Sequence, residues 1–122
     1  MKVLLIDDSS TMRKIQKRVL TGMGIDDIQE GGNGKEALAI LETQKDFTFI
    51  LCDINMPEMN GMETLAAIRA DASISKIPVI MCTSVAEKGQ VMEAIKAGAS
   101  NYLVKPFQPD DLKAKIEAVV GA

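Results

Sequence analysis

Apolar and polar positions follow two different periods along this chain, and the two alternate. Short apolar runs recur at about Lys2 to Ile6, Phe49 to Cys52, Val79 to Cys82 and Tyr102 to Val104, with a weaker one at about Ile28 to Glu30. Each is bounded by turn-forming or charged residues, the pattern of a strand buried in a parallel sheet. Between them apolar residues return every three or four positions: Met12, Ile15, Val19 and Leu20, then Ala37, Leu38 and Leu41, then Met62, Leu65 and Ile68, then Val91, Met92 and Ile95, and finally Leu112, Ile116, Val119 and Val120. That spacing puts each set on one helix face. Strand and helix therefore alternate five times, which predicts an α/β domain of (βα)5 type with a single doubly wound, five-stranded parallel sheet.

The punctuation agrees with this reading. Asp8, Ser9 and Ser10 offer N-cap oxygens for the first helix, and Gly22 and Gly24 end it. Asn33 and Glu36 have capping-box spacing before the second helix. The stretch from Asn55 to Gly61 is turn-rich and Pro78 limits the start of the fourth strand. The fourth helix, somewhere after Thr83, ends at Gly98. Pro109 suits the first turn of the last helix, where Asp110 and Asp111 sit near the positive end of its dipole.

At 122 residues the chain has the length of one domain, and residues 1–122 read as one unit with no linker and no output domain. The first apolar stretch is too short for a secretion signal and none approaches a membrane span, so the expected location is the cytoplasm, without membrane contact. A net charge of −3 with no basic run argues against nucleic acid as a partner. Histidine is absent, which excludes His-based triads and His-metal centres. Cys52 and Cys82 fall inside predicted strands with neither CxxC nor Cys/His spacing, and read as buried apolar filler in a reducing compartment. The methionines and sparse aromatics read as pliable core and loop filler.

Chemistry enters at the ends of the strands. Four of the runs stop on Asp7-Asp8, Asp53, Thr83 and Lys105, and open α/β sheets bind ligands outside the carboxyl ends of their strands. Three carboxylates, a hydroxyl and an ammonium therefore converge on one sheet edge. Alone, Asp-Asp after a strand is ordinary N-cap chemistry and Lys105 an ordinary solvated lysine. Together, the carboxylates of Asp7, Asp8 and Asp53 would repel one another unless a cation sat among them, and Mg²⁺ suits a few carboxylates plus water and phosphate oxygens. A carboxylate can also act as a nucleophile toward phosphorus, giving an aspartyl phosphate. The charge that then develops calls for a metal, an ammonium and short donors, roles open to Lys105 and Thr83.

These residues bring a family with them. The segments Leu5 to Arg13, Asp53 to Gly61, Cys82 to Ser84 and Ala97 to Phe107 fall in the order and spacing of receiver domains of two-component response regulators. The chain resembles that family over nearly its whole length, and most of all its single-domain, CheY-like chemotaxis members. The resemblance implies a flavodoxin-like strand order 2-1-3-4-5. It implies Asp53 as phosphoacceptor, Mg²⁺ held by Asp8, Asp53 and the main-chain carbonyl of Asn55 with Asp7 in support, and phosphoryl oxygens met by Lys105, the Thr83 hydroxyl and the amides of Asn55 and Ser84. It also implies a cis Lys105-Pro106 bond, and a switch in which Tyr102 turns inward as Thr83 moves toward the phosphoryl group. The implied partners are a histidine kinase of the chemotaxis type and a target protein, by likeness the flagellar motor switch, docking on the fourth helix, fifth strand and fifth helix of a monomer. Two departures stand out: Val85 is apolar where relatives often carry an acid or amide that orients the hydrolytic water, and Ser84 replaces the commoner Ala. Met56, Pro57 and Gly61 read as shaping the loop after Asp53.

The protein is thus expected to be a phosphorylated switch with intrinsic autophosphorylation and autodephosphorylation chemistry, not an enzyme with a separate substrate. A stand-alone phosphorelay receiver is the alternative. An aspartyl-phosphate phosphatase of the haloacid dehalogenase type would need a second Asp where Asn55 stands, since Asn cannot serve as general acid. A flavodoxin-like FMN carrier would not place Asp7 and Asp8 against a phosphate.

Overall fold

A computed structural model describes residues 1–84, 89–105 and 107–120. The apolar runs become β1 (Lys2–Ile6), β2 (Asp27–Gly31), β3 (Phe49–Asp53), β4 (Val79–Ser84) and β5 (Asn101–Lys105). The helical patterns become α1 (Ser10–Gly22), α2 (Gly34–Thr43), α3 (Gly61–Ala70), α4 (Val91–Lys96) and α5 (Pro109–Val120). The strands form one sheet in the order β2-β1-β3-β4-β5, and every neighbouring pair is parallel.

Burial on both faces explains the unbroken apolar runs. Leu4, Ile6, Ile50, Cys52 and Met81 point to one side, where they pack with Ala37, Leu41, Leu65, Ile68 and Ala94 from α2, α3 and α4. Val3, Leu5, Phe49, Leu51, Ile80 and Cys82 point to the other, against Leu20 of α1 and Leu112 and Ile116 of α5. Alternate residues of one strand thus serve two cores. β2 and β5 are edge strands and only partly buried, so the Tyr102 to Val104 run buries Leu103 alone.

Local chemistry sets the helix ends. Asn60 and Glu63 form a reciprocal capping box at the start of α3, with Glu63 N–H to Asn60 Oδ1 at 2.9 Å and Asn60 N–H to Glu63 Oε1 at 3.1 Å. At α2 the variant is shifted: Asn33 accepts from Glu36 N–H at 2.9 Å, but Glu36 reaches back to the Gly32 amide at 2.8 Å. Gly24, at φ +85°, closes α1 with Ile25 N–H donating to the Leu20 carbonyl and Gly24 N–H to that of Thr21, each at 3.0 Å. Gly98, at φ +107°, closes α4 in the same way through Ala99 to Ala94 and Gly98 to Ile95. Both are left-handed C-caps that glycine adopts without a Cβ clash.

Two predicted faces are corrected. On α1 the buried residues are Gln16 and Leu20, while Ile15 is 42% exposed. The helix meets the sheet about one position round from the face its apolar residues define, because α1 must also reach α5. On α4 the buried residue is Ala94, small enough to let the helix approach the sheet, and Met92 and Ile95 are 66% and 41% exposed. The cis bond at Pro106 and the role of Val85 concern positions outside the described residues.

Among the described residues Gln16 is the one buried side chain left unsatisfied: its Oε1 has no hydrogen-bond partner. An unsatisfied buried acceptor costs about 1–3 kcal/mol. Gln16→Met, which keeps the volume and removes the polar atoms, should raise stability by about 1–2 kcal/mol in urea melts. Lower stability in the variant would mean that Gln16 is satisfied in solution.

Candidate functional site

The site is assembled from the ends of β1, β3, β4 and β5. Beyond β1, the Asp7 amide donates to the Gly31 carbonyl at 3.1 Å, which carries the β1–β2 ladder one residue further and pulls Asp7 into the interior, 1% exposed. Both its carboxylate oxygens are engaged, Oδ1 by the Ser9 amide at 2.9 Å and Oδ2 by Lys105 Nζ at 2.9 Å. The Arg13 guanidinium donates to the Asp7 carbonyl and also pairs with Glu30 at 3.0 Å. Asp8, next in line, is exposed.

β3 delivers Asp53, buried to 6% exposure. The chain then turns sharply: Ile54 N–H donates to the Cys82 carbonyl at 3.0 Å, and Gly61 N–H donates back to the Ile54 carbonyl at 2.8 Å. Glu58, at φ 64°, takes the left-handed conformation in this loop. Gly61 does more than shape it, because a Cβ there would lie 2.2 Å from the Asp53 carbonyl oxygen. The first turn of α3 thus presses on the backbone of Asp53, a constraint between residues eight apart that no local pattern reveals.

Lys105 crosses the site from β5. Its ammonium sits 2.9 Å from Asp7 Oδ2 and 3.2 Å from Asp53 Oδ1. Burial disfavours its charge, but the Asp7 hydrogen bond and the Asp53 and Asp7 carboxylates prevail and hold its pKa above the ordinary value. Burial pushes the Asp53 carboxyl up to about 6, with Asp7 and Asp8 adding to the rise and Lys105 restraining it. Thr83, fully buried on β4 beside Val104 of β5, donates its hydroxyl to the Ser84 carbonyl at 3.2 Å. Asn55 is exposed two residues past Asp53 and Ser84 half-buried. Tyr102 lies apart from the carboxylates, at the β5 edge. Cys52 and Cys82 are free and buried, with burial pushing the Cys52 thiol well above its usual range and the Cys82 thiol up to about 12, so neither is a nucleophile here.

The acidic group fits a hard divalent cation. Asp7, Asp8 and Asp53 each present a ligand oxygen within 4.8 Å of the others. Asp7 already has both oxygens hydrogen-bonded, whereas Asp8 makes no side-chain hydrogen bond among the described residues, so Asp8 and Asp53 are the better placed to ligate and Asp7 to support.

The chain matches a family model described as the response regulator receiver domain over residues 3–117. It is 47% identical to a Campylobacter jejuni protein named "Chemotaxis protein CheY homolog", covering 99% of this chain and 93% of that one. Among solved structures it is similar to the chemotaxis protein CheY4 of Vibrio cholerae, with a TM-score of 0.87, 33% identity and 97% of each chain covered. It is also similar to the receiver domain of a Pseudomonas aeruginosa sensor histidine kinase described with a magnesium ion coordinated in its active site cleft, with a TM-score of 0.88 at 26% identity and 99% and 98% of the two chains covered. Among the described residues no helix is long and apolar enough to cross a membrane.

The raised Asp53 pKa has a consequence for stability. The folded state binds this proton more tightly than the unfolded chain does, so stability falls as pH rises from about 4 through about 6 and the full penalty holds above that range. Asp53→Asn, which keeps the shape without the charge, should therefore be more stable than the wild type at pH 7.5 in EDTA by on the order of 1–3 kcal/mol. The advantage should shrink toward zero near pH 4. Denaturant melts at both pH values check it, and equal stability at pH 7.5 would contradict the assigned environment.

Proposed function

The chain belongs to the response regulator receiver domain family, and from that premise we propose that it works as a phosphorylation-activated switch in chemotaxis, with Asp53 as its phosphoacceptor. The observation that carries this reading is the Lys105 ammonium lying between the buried carboxylates of Asp7 and Asp53, beside the exposed Asp8. A nucleophilic carboxylate, an acidic cation site and a fixed ammonium at one sheet edge are what an aspartyl phosphate requires.

An Asp53 carboxylate oxygen attacks the phosphorus of a phosphohistidine on the donor kinase. The new O–P bond forms as the N–P bond breaks, and the departing imidazole takes up a proton. Asp8, Asp53 and the Asn55 carbonyl would hold Mg²⁺, with Asp7 in support. When bound, Mg²⁺ neutralises charge on the phosphoryl oxygens and offsets the repulsion among the carboxylates. Lys105 then exchanges its contact with Asp53 for one with a phosphoryl oxygen while Asp7 keeps it oriented. The amides of Asn55 and Ser84 supply further donors. Hydrolysis of the acyl phosphate by water returns Asp53 to its carboxylate, so the domain resets itself.

The output is conformational. The Thr83 hydroxyl turns from the Ser84 carbonyl toward the phosphoryl group, and Tyr102 follows into the space it leaves. That motion alters the surface of α4, β5 and α5, where Met92 and Ile95 are already exposed. The partners in this reading are a chemotaxis-type histidine kinase and a target protein, the flagellar motor switch being the favoured one, in the cytoplasm.

Acetyl phosphate with Mg²⁺ should add one phosphoryl group to the protein, located at Asp53 by mass spectrometry, and Asp53→Asn should abolish the adduct because the amide lacks the anionic nucleophile. A stable Mg²⁺-dependent adduct on another residue of the wild type would sink the assignment. Lys105→Ala should fold and still be phosphorylated, yet lose most of the phosphorylation-dependent gain in target binding. The contact removed is a charge-assisted one worth about 1.5–3 kcal/mol. Wild-type target binding by phosphorylated Lys105→Ala would remove Lys105 from the switch.

A further inference from the structure

Tyr102 and Thr83 project from the same face of the sheet. The β4–β5 register sets Met81 opposite Tyr102 and Thr83 opposite Val104, and residues two apart on a strand share a face. The ring and the hydroxyl are therefore diagonal neighbours. Because β5 is the edge strand, a ring at this position has two places to go, inward along the sheet toward Thr83 or outward over the edge.

In this structure a residue from the far side of the sheet holds the ring. α5 packs on the opposite face, with Leu112 and Ile116 against Leu103, yet Lys115 reaches round the free edge. Its Nζ lies 4.6 Å from the centre of the Tyr102 ring and 3.4 Å from Asn101 Oδ1. Asn101 Oδ1 in turn accepts the Tyr102 amide at 2.9 Å, so one side-chain oxygen orients both the ammonium and the strand that carries the ring. Lys115 makes no ion pair among the described residues, so its charge is directed by the ring face and this amide oxygen. Only an edge strand permits such a contact, since a further strand beyond β5 would block the path of the lysine.

We infer that Lys115 is a latch on the switch: its cation–π contact holds Tyr102 in the outward position and biases the protein toward its unphosphorylated state. This deepens the reading of Tyr102 and Thr83 given above and rests on it. A ring that moves toward Thr83 must leave the ammonium, so the contact exists in one of the two states only. That is the condition for a contact to shift an equilibrium between them. Removing a partly exposed cation–π contact changes the ratio of the two states by about two- to five-fold.

The chain reports on this ring directly, because Tyr102 is its only tyrosine and it has no tryptophan. Tyrosine emission, its quenching by acrylamide, and its response to beryllofluoride in Mg²⁺ are to be compared for the wild type, Lys115→Met and Lys115→Arg. Lys115→Met keeps the stem and loses the charge. Its ring should be less accessible to acrylamide before beryllofluoride is added, and half-saturation should come at a beryllofluoride concentration about two- to five-fold lower. Lys115→Arg, which keeps a cation over the ring, should follow the wild type. A Lys115→Met protein with wild-type quenching and a wild-type midpoint overturns the latch while leaving the switch intact. If beryllofluoride leaves wild-type Tyr102 emission unchanged, the switch reading itself falls, and the latch with it.

Discussion

Everything at the functional end of this molecule depends on one electrostatic constraint. Three carboxylates stand at the carboxyl edge of a sheet whose central strands are buried on both faces, and one ammonium is set among them. Asp7 and Asp53 are almost inaccessible to water, and Lys105 touches both. One positive charge cannot neutralise three negative ones. The balance is visible in Asp53, whose carboxyl is pushed up to about 6 although Lys105 lies beside it. The site therefore carries an unmet demand for positive charge, of the kind a divalent cation would satisfy. Its chemistry and its instability have the same origin.

The fold keeps that demand from being relieved by rearrangement. Asp7 is fixed through both carboxylate oxygens, its amide and its carbonyl. Asp53 is fixed from behind by Gly61, whose missing side chain lets α3 begin against the Asp53 carbonyl. The capping box of Asn60 and Glu63 secures that helix start. The rigid side of the site is thus built from β1, β3 and α3. Its other side is freer: β5 is a half-buried edge, α4 is six residues long, and their outer surface exposes Met92 and Ile95. A tightly fixed chemical half beside a half-buried edge suits the switch proposed above, because the same small motion costs less where fewer groups are buried.

Membership of the receiver family fits this division of labour. A related receiver is described with a magnesium ion coordinated in its active site cleft, and in this chain three carboxylates stand together at the strand ends. Outside the acidic site stand the orphaned Gln16 oxygen of α1 and the lysine of α5 laid over the chain's only tyrosine. Neither touches the reacting atoms. Each acts through packing or through the balance between conformations.

The sequence by itself determined the alternation of strands and helices, the burial of the central runs, most helix ends, and the set of polar residues that meet at the strand ends. It could do so because these features are local: a period of two or 3.6, a cap within three residues, a glycine at a left-handed turn. It also led to Asp7, Asp8, Asp53 and Lys105 as one group, since a parallel sheet brings the carboxyl ends of its strands to one edge whatever lies between them. Only the tertiary structure decided the rest. Ile15 faces outward and Gln16 inward because α1 is turned by its neighbours, and periodicity alone does not fix which flank of an apolar stripe meets the sheet. The Lys105 to Asp7 contact spans 98 positions, and Gly61 against the Asp53 carbonyl depends on how a loop closes. Lys115 over Tyr102 depends on β5 being an edge. Such contacts are set by distances between elements, which no local pattern of residues encodes.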